Sequence, residues 1–380
     1  MNKELKIGVL LPRSDMFPAL GGDFLNGLKL VLNPLDHSVS IRYIIESIGN
    51  ATEDKFIRTA EKMILQESPD LTLSFCGIFR LAELTTIFNS YRKPLIHLDL
   101  GGNVLKKEHK SPYVLHHSLN LCEAAFRAGQ YAVQQYGKKG ALAASFYDGG
   151  YQLAHSFVKG FTEKGGEIVY NYVGPMDYKS ETFEAMIQGL EAHQPNVVFT
   201  LFSYKEGAKV CKILAGSSLS GKIPFVSIPL MTDEYFNREN YYLEKMISVA
   251  SWSFDDTSPE MQGFLKAYKA QYSEVPNIMG LLGYEAGILV KNCLENHNGI
   301  PSKIAELLAK DTINTPRGLL AFTSLYESYV PQLKVRKFQF NQTKYHNRII
   351  DYLESPTPEQ LNQDMEELPY SGWQNPYICT

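Results

Sequence analysis

The chain has 380 residues, of which 44% are hydrophobic and 21% charged, and its formal net charge is −4. This length predicts two domains of an ordinary globular protein, and the small negative charge argues against nucleic acid and anionic membranes as partners. No apolar run reaches the roughly 18 residues of a membrane span. Five widely spaced cysteines without a C-x-x-C pair predict buried free thiols instead of a zinc site or a disulfide framework.

Short apolar runs alternate with helical patterns in the first part of the chain. Strands are predicted at residues 6–11, 41–46, 71–75 and 94–98. The clearest helix is "NATEDKFIRTAEKMILQE", in which Asn50 and Glu53 form a capping box. Its predicted buried face consists of Phe56, Ala60, Met63 and Ile64. This alternation predicts a parallel sheet.

A second series of strands and helices begins near residue 120. The helix "NLCEAAFRAGQYAVQQY" should end at Gly137, and strands then alternate with helices from "GALAASF" to "IPFVSI". Helices return at 260–272 and 279–296. Residues 332–353 predict an antiparallel hairpin, because "LKVRKFQF" alternates with period two. The polar, proline-rich tail after Glu354 is predicted to lie extended on the surface.

The sequence contains no complete dinucleotide fingerprint and no complete nucleophile elbow of a hydrolase. The loop after the first strand has residues 12–15 where a dinucleotide fingerprint needs glycines, and Asp15 would repel phosphate. The stretch "AGSSLSG" lacks the final glycine of a G-x-S-x-G nucleophile elbow. The adjacent His116 and His117 should point to opposite faces of a strand, which disfavours a shared metal. We therefore expect a protein that is not an enzyme and uses neither a cofactor nor a metal.

The opening "IGVLLPRSDMFPALGGDFLNGLKLVL" resembles that of type I periplasmic solute-binding proteins of the leucine/isoleucine/valine-binding class. These are the substrate-binding proteins of branched-chain amino acid ABC transporters. The similarity continues in order through "KPLIHLDLGG", "ALAASFYDGGYQLAHSFVKGFTEKGGEIV", "PNVVFTLFSYKEGAKVCKIL" and "FLKAYKAQYSEVPNIMGLLGYEAGILV". Each piece is weak by itself, and their common order and spacing make the resemblance specific.

The resemblance implies an α/β fold of two doubly wound parallel-sheet lobes, joined by three hinge crossovers, with a ligand cleft between the lobes. The implied bounds are 1–118 plus 252–325 for lobe one, 119–250 plus 329–380 for lobe two, and 117–120, 248–251 and 323–328 for the crossovers. The ligand would bind at the carboxyl ends of the strands, as is general for open parallel sheets.

The resemblance also implies a set of ligand-binding residues. In lobe one, Phe17 stands where the family often has an aromatic that covers the ligand, and the loops at 77–79 and 99–101 would hold the ligand carboxylate. In lobe two, Tyr151 and Tyr204 match aromatics that close over the ligand. The complete set is Phe17, Gly77, Ile78, Phe79, Asp99, Leu100, Gly101, Tyr151, Tyr204 and Pro229.

Three of these loops depart from the family pattern. The loops at 77–79 and 99–101 lack the hydroxyl side chains that usually help to hold the carboxylate. Ile228 or Pro229 occupies the place of a glutamate that pairs with the ammonium group of amino acid ligands. Because that pairing is charge-assisted and hard to replace, we expect an apolar or aromatic ligand instead of a branched-chain amino acid. Asp99 either supplies a substitute charge or caps the following turn, and the sequence leaves both roles open.

The family function is an extracytoplasmic substrate-binding protein that delivers a small organic solute to the membrane permease of an ABC importer. The solute would be amino acid-like or an aromatic or apolar carboxylate, bound by hinge closure. Such a protein would be periplasmic, either freely diffusing or held by a lipid anchor. The start of the sequence does not resemble a signal peptide, which favours the alternative of a cytoplasmic ligand-sensing regulator of the same fold that acts through a protein partner. An α/β enzyme is a further, less favoured alternative.

Overall fold

The computed structural model describes residues 4–14, 17–35, 39–49, 54–148, 151–202, 204–234, 246–341 and 344–370. These residues form two compact units. Lobe one comprises the described residues within Met1–Leu119, Thr257–Pro331 and Thr357–Thr380, and lobe two those within Asn120–Asp256 and Gln332–Pro356. Among the helices in the described ranges, none combines the length and apolar character needed to cross a bilayer.

Lobe one begins with five strands that alternate with helices. The strands are β1 (Glu4–Leu11), β2 (Ser40–Ser47), β3 (Leu71–Phe75), β4 (Leu95–Asp99) and β5 (Val114–Ser118). The helices are α1 (Leu20–Leu32), α2 (Asp54–Lys62, prolonged by a wider turn to Glu67) and α3 (Leu81–Ser90). Strands β3, β4 and β5 are buried along their whole length. They are therefore covered on both faces, as parallel sheets require.

Lobe two repeats this pattern. Its helices are α4 (Leu121–Tyr136), α5 (Leu153–Glu163), α6 (Glu184–His193) and α7 (Tyr204–Ala215). Its strands are β6 (Lys139–Ala144), β7 (Glu167–Val173), β8 (Val197–Leu201), β9 (Phe225–Ser227) and β10 (Ile247–Ala250). Gly137 ends α4 with a φ of 118°, a conformation that favours glycine, so the predicted helix stop is confirmed.

The chain then returns to lobe one and adds a hairpin to lobe two. The elements of the return are α8 (Pro259–Tyr272), α9 (Ile278–Asn296), α10 (Ile304–Leu308), β11 (Asn314–Thr315), β12 (Gly318–Leu319), β13 (Ala321–Phe322) and β14 (Glu327–Tyr329). Strands β15 (Gln332–Phe340) and β16 (Tyr345–Glu354) pair antiparallel, which confirms the predicted hairpin. Helix α11 (Pro358–Asp364) follows.

Both lobes contain a seven-stranded sheet with the same central strand order. The order is β13-β14-β5-β4-β3-β1-β2 in lobe one and β16-β15-β10-β9-β8-β6-β7 in lobe two. The first five strands of each series are parallel to their neighbours, in the doubly wound order 2-1-3-4-5. In such sheets the connections diverge between the first and third strands, which opens a crevice at their carboxyl ends. That edge, here called the carboxyl edge, positions the candidate site of each lobe.

The predicted faces of the early helices agree with the structure. Phe56, Ala60, Met63 and Ile64 are all buried in the core of lobe one, as their helical spacing predicts. The capping box predicted at Asn50 and Glu53 lies outside the described residues.

Two predicted crossovers lie a few residues too early in the chain. The chain leaves lobe one after Leu119, within the predicted 117–120, but it leaves lobe two after Asp256 and lobe one again after Pro331. The predicted 248–251 and 323–328 overlap β10 and β14, which pair with neighbouring strands within their own sheets. Their role as hinges stays a prediction.

The prediction for the C-terminal tail was wrong, because α11 and the segment after it pack on lobe one and not on lobe two. Leu361 and Met365 lie four residues apart and are both buried. The Tyr370 hydroxyl donates a hydrogen bond to the Val104 carbonyl at 2.9 Å, and Lys107 pairs with Glu366 at 2.8 Å. The chain therefore crosses between lobes a fourth time, after Pro356.

Candidate functional site

The loop after β1 forms one wall of a cavity of about 400 Å³ at the carboxyl edge of lobe one. Phe17 lines this cavity together with the ends of β1 and β2. Its backbone N–H donates to the Ser14 hydroxyl at 2.9 Å, which fixes the bend, and its ring is buried within the lobe. The sequence-predicted aromatic is therefore at the carboxyl edge, but it is part of the wall and offers little surface of its own.

The loop after β3 is held in place by a histidine from the next strand. Gly77 adopts a φ of 65°, in the left-handed region that glycine enters without strain. Its carbonyl oxygen lies 3.0 Å from Nε2 of His97 on β4. Ile78 is buried, whereas the Phe79 side chain is 46% exposed. Of the three residues predicted to bind ligand in this loop, Phe79 alone presents a large exposed side chain.

Asp99 caps the turn that follows β4. Its Oδ1 accepts a hydrogen bond from the Leu100 N–H at 2.7 Å, and Gly101 turns the chain with a φ of 81°. Burial raises the pKa of Asp99 to about 7. The structure shows the turn-cap role considered for Asp99, and its role as a substitute charge stays a prediction. Leu100 is buried beside it, and the part of this loop in ligand binding stays a prediction.

In lobe two, the loop after β9 is fixed by a buried arginine. Nη2 of Arg336, on β15, donates to the Pro229 carbonyl at 3.4 Å, and Nη1 donates to the Trp252 carbonyl at 3.3 Å. The guanidinium lies 5.0 Å from the centre of the Trp252 ring, close enough for a cation–π contact. Pro229 begins a short 3₁₀ turn at this point. The position at which the family has a ligand-binding glutamate is therefore a rigid, internally bonded turn.

The two predicted tyrosines of lobe two are buried at its carboxyl edge. Tyr151 follows β6, and Tyr204 begins α7 directly after β8. Tyr204 has a φ of 50°, a left-handed conformation that is uncommon for a residue with a large side chain. The fold thus brings both tyrosines to the strand ends expected from the sequence.

Two carboxylates that the sequence analysis passed over lie at the same edge. Asp148 follows β6, and its N–H donates to the Ser145 hydroxyl at 2.8 Å. Glu206 lies in the first turn of α7 and is only 5% exposed. Burial, with the charge of Asp148 as the second cause, raises the pKa of Glu206 to about 8. Because a glutamate at this helix position usually caps the helix, the sequence alone did not single it out.

Three buried histidines stand behind the Gly77 loop. His116 Nε2 lies 3.0 Å from the His109 carbonyl, and its Nδ1 lies 3.2 Å from Nδ1 of His97. Since carbonyls only accept hydrogen bonds, the Nε2 atoms of His97 and His116 both carry hydrogen. The two Nδ1 atoms can then bond only when one ring is doubly protonated, and burial lowers the pKa of both rings. Burial therefore favours the neutral form of both rings, in which the two Nδ1 atoms face each other as acceptors.

His116 and His117 have different partners, which confirms that they face opposite sides of β5. His117 Nδ1 lies 2.7 Å from the Ser328 hydroxyl, and its Nε2 lies 3.0 Å from Glu285. No group of three histidine, cysteine, aspartate or glutamate residues suited to a metal ion occurs in the part of the chain that the structure describes.

Ser328, His117 and Glu285 have the composition of a hydrolase triad, which sequence analysis missed. All three side chains are completely buried within lobe one. Arg317 also engages both oxygens of Glu285, with its Nε at 3.0 and 2.8 Å. The group therefore ties β5, α9 and β14 together within lobe one.

The fold agrees with comparisons to known proteins. Residues 4–327 match the family model described as Periplasmic binding protein. Since the match covers most of the chain, the protein belongs to the periplasmic binding protein family, in its type I, leucine-binding-like group. A search of curated proteins found no match to the sequence.

Solved structures of this group share the fold at low sequence identity. The ABC transporter substrate-binding protein from Sphaerobacter thermophilus is 20% identical, with a TM-score of 0.82 over 93% of this chain and 98% of that chain. A solute binding protein from Rhodopseudomonas palustris BisB5, in complex with 3,4-dihydroxybenzoic acid, is 20% identical (TM-score 0.79; 94% and 99% covered). A leucine binding protein from Thermotoga maritima MSB8 is 15% identical (TM-score 0.71; 92% and 99% covered).

Proposed function

We propose that this protein is the substrate-binding component of an ABC importer and that it binds a small organic solute. The observation that supports this most directly is family membership, combined with two sheets of the same doubly wound order. In such sheets ligands bind at the carboxyl edge. The partner would be a membrane permease, and the protein would act in the periplasm. The ligand would touch both lobes and stabilise a closed state of the hinges.

The ligand is amino acid-like or an aromatic or apolar carboxylate, and it is not leucine, isoleucine or valine. The turn at Pro229 has no carboxylate to pair with an ammonium, and the loops at 77–79 and 99–101 have no hydroxyl side chains. Losing a charge-assisted hydrogen bond costs about 1.5–3 kcal/mol, or about ten- to a hundredfold in affinity. Similar folds have been solved as a leucine binding protein and with a dihydroxybenzoic acid, so this group accommodates both ligand classes.

Calorimetry with the purified protein tests this proposal. We expect none of the three branched-chain amino acids to bind below about 1 μM, and at least one aromatic or apolar solute to bind. Tyr204→Ala should weaken that binding by about tenfold or more, whereas Tyr352→Ala, at an exposed tyrosine of the same lobe, should not. Submicromolar binding of leucine would contradict the proposed ligand class, and the absence of any binding solute would contradict the function.

A further inference from the structure

Glu206 is a carboxyl group that is buried in the first turn of α7. Its Oε1 is buried and has no hydrogen-bond partner among the residues that the structure describes. Lys209, one turn further along α7, donates its Nζ to the carbonyls of Tyr178 and Lys179 at 2.9 and 2.8 Å, and its charge lowers the pKa of Glu206 by less than burial and Asp148 raise it. Burying a carboxyl group in this way destabilises a protein. A residue that is retained at such a cost is a candidate for ligand binding.

A capping glutamate at this helix position accepts the backbone N–H of the N-cap residue, which for α7 is residue 203 and lies outside the described residues. Oε1 of Glu206 lies beside Gly174, at the end of β7, where an added Cβ would be 3.5 Å from it. The carboxyl group is therefore directed across the carboxyl edge, toward the ends of β6 and β7.

The same edge carries exposed apolar side chains. Val173 ends β7 and pairs with Ala144 of β6, and the Gly174 N–H donates to the Ala144 carbonyl at 2.8 Å. Val173 is 52% exposed, Met176 59% and Phe146 38%. Apolar surface around a buried polar group is the usual composition of a small-molecule site.

We propose that Glu206, with Asp148 beside it, binds a protonated amine on the ligand, while the apolar residues at the ends of β6 and β7 contact the ligand body. This inference rests on the proposed function and names the ligand class. The negative charge of Asp148 decides between a cation and an anion, because a ligand carboxylate placed here would add a further negative charge. An ammonium supplies the hydrogen-bond donor that Oε1 lacks, together with a positive charge that two neighbouring carboxylates favour.

Calorimetry with paired probes that differ only in the amine tests the proposal. The pairs are L-phenylalanine with 3-phenylpropanoate and L-tyrosine with 3-(4-hydroxyphenyl)propanoate, and 2-phenylethylamine serves as an amine without a carboxylate. We expect the amine member of at least one pair to bind about ten- to a hundredfold more tightly than its partner. Glu206→Gln should remove that difference. Glu184→Gln, at an exposed first-turn glutamate of α6 in the same lobe, should keep it.

The outcomes separate this inference from the proposed function. If the carboxylates bind as tightly as the amines, or Glu206→Gln retains the preference for the amine, the inference is overturned and the proposed function stands. If neither member of any pair binds, the inference is overturned as well. If the branched-chain amino acids and other small solutes also fail to bind, the proposed function is contradicted as well. Circular dichroism of both variants verifies that a loss of binding is not a loss of folding.

Discussion

At the scale of single residues, Glu285 is a completely buried carboxylate that pairs with both His117 and Arg317. Burial by itself raises the pKa of this carboxylate, but the charge of Arg317 and the hydrogen bond from His117 outweigh it and hold the pKa at about 2. Because the folded-state pKa lies below the ordinary value of 4.5, ionised Glu285 stabilises the fold at neutral pH. That contribution is fully present above pH 4.5 and is lost as the pH falls toward 2.

Glu285→Gln should therefore destabilise the protein by about 3–5 kcal/mol, because it leaves the buried Arg317 without its counter-charge. Urea unfolding at pH 7 measures this difference. Glu163→Gln is the control, since its pair with Lys159 is partly exposed and contributes within about 0.5 kcal/mol. Equal unfolding midpoints for Glu285→Gln and the wild type would show that the buried network does not stabilise lobe one.

Glu206 should show the opposite behaviour, since its pKa is raised to about 8 and not lowered. Between pH 4.5 and 8, Glu206 is then still protonated in the folded state but ionised in the unfolded state. The free energy of unfolding therefore falls as the pH rises through this range. Glu206→Gln removes the titrating group. The ligand-free variant should be more stable than the wild type by on the order of 1–3 kcal/mol at pH 9 and nearly equal to it at pH 4.5. Thermal unfolding at the two pH values measures this, and a variant that is less stable at pH 9 would contradict it.

At the scale of elements, both lobes use glycine to bring a helix pair into close contact. In lobe one α1 packs on α9, and a Cβ at Gly283 would lie 2.0 Å from the Phe24 carbonyl oxygen. In lobe two α4 packs on α5, and a Cβ at Gly160 would lie 2.0 Å from the Phe126 carbonyl oxygen. Since the obstructing atoms belong to the backbone, the helices themselves would have to separate.

Gly283→Ala should destabilise lobe one by about 1–3 kcal/mol or more, because the added methyl group cannot be accommodated. Gly263→Ala is the matched control. It lies within α8 with open space around it, so alanine should stabilise the helix by about 0.5–1 kcal/mol. Urea unfolding of both variants compares them, and a Gly283→Ala variant as stable as the control would contradict the close helix contact.

The elements also show why some features could be predicted from the sequence and others could not. Helix α4 is 16 residues long and ends at a glycine, so periodicity and a stop residue define it. Helix α11 has only seven residues, and two apolar residues do not reveal a packed face in a polar, proline-rich segment. The Glu285 network joins residues 32 and 168 positions apart, so only the fold brings them together. Glu206 could be noticed only once its burial was known.

At the scale of the whole molecule, a ligand shifts the equilibrium toward the closed state only if it binds that state more tightly than the open one. Each lobe by itself provides candidate contacts at its carboxyl edge, with Phe17 and Phe79 in lobe one and Tyr204 and Glu206 in lobe two. A ligand that binds only the folded protein also raises its stability by mass action, by about 2.7 kcal/mol at a hundred times the Kd.

The central claim, that a small solute is held by both lobes in a closed state, is tested most directly by small-angle X-ray scattering. The full chain is measured without ligand and at saturation with the tightest-binding solute found by calorimetry. We expect the radius of gyration to fall on saturation and the scattering profile to change accordingly, because the closed state is the more compact one. Superimposable profiles at proven saturation would contradict closure of the two lobes on the ligand.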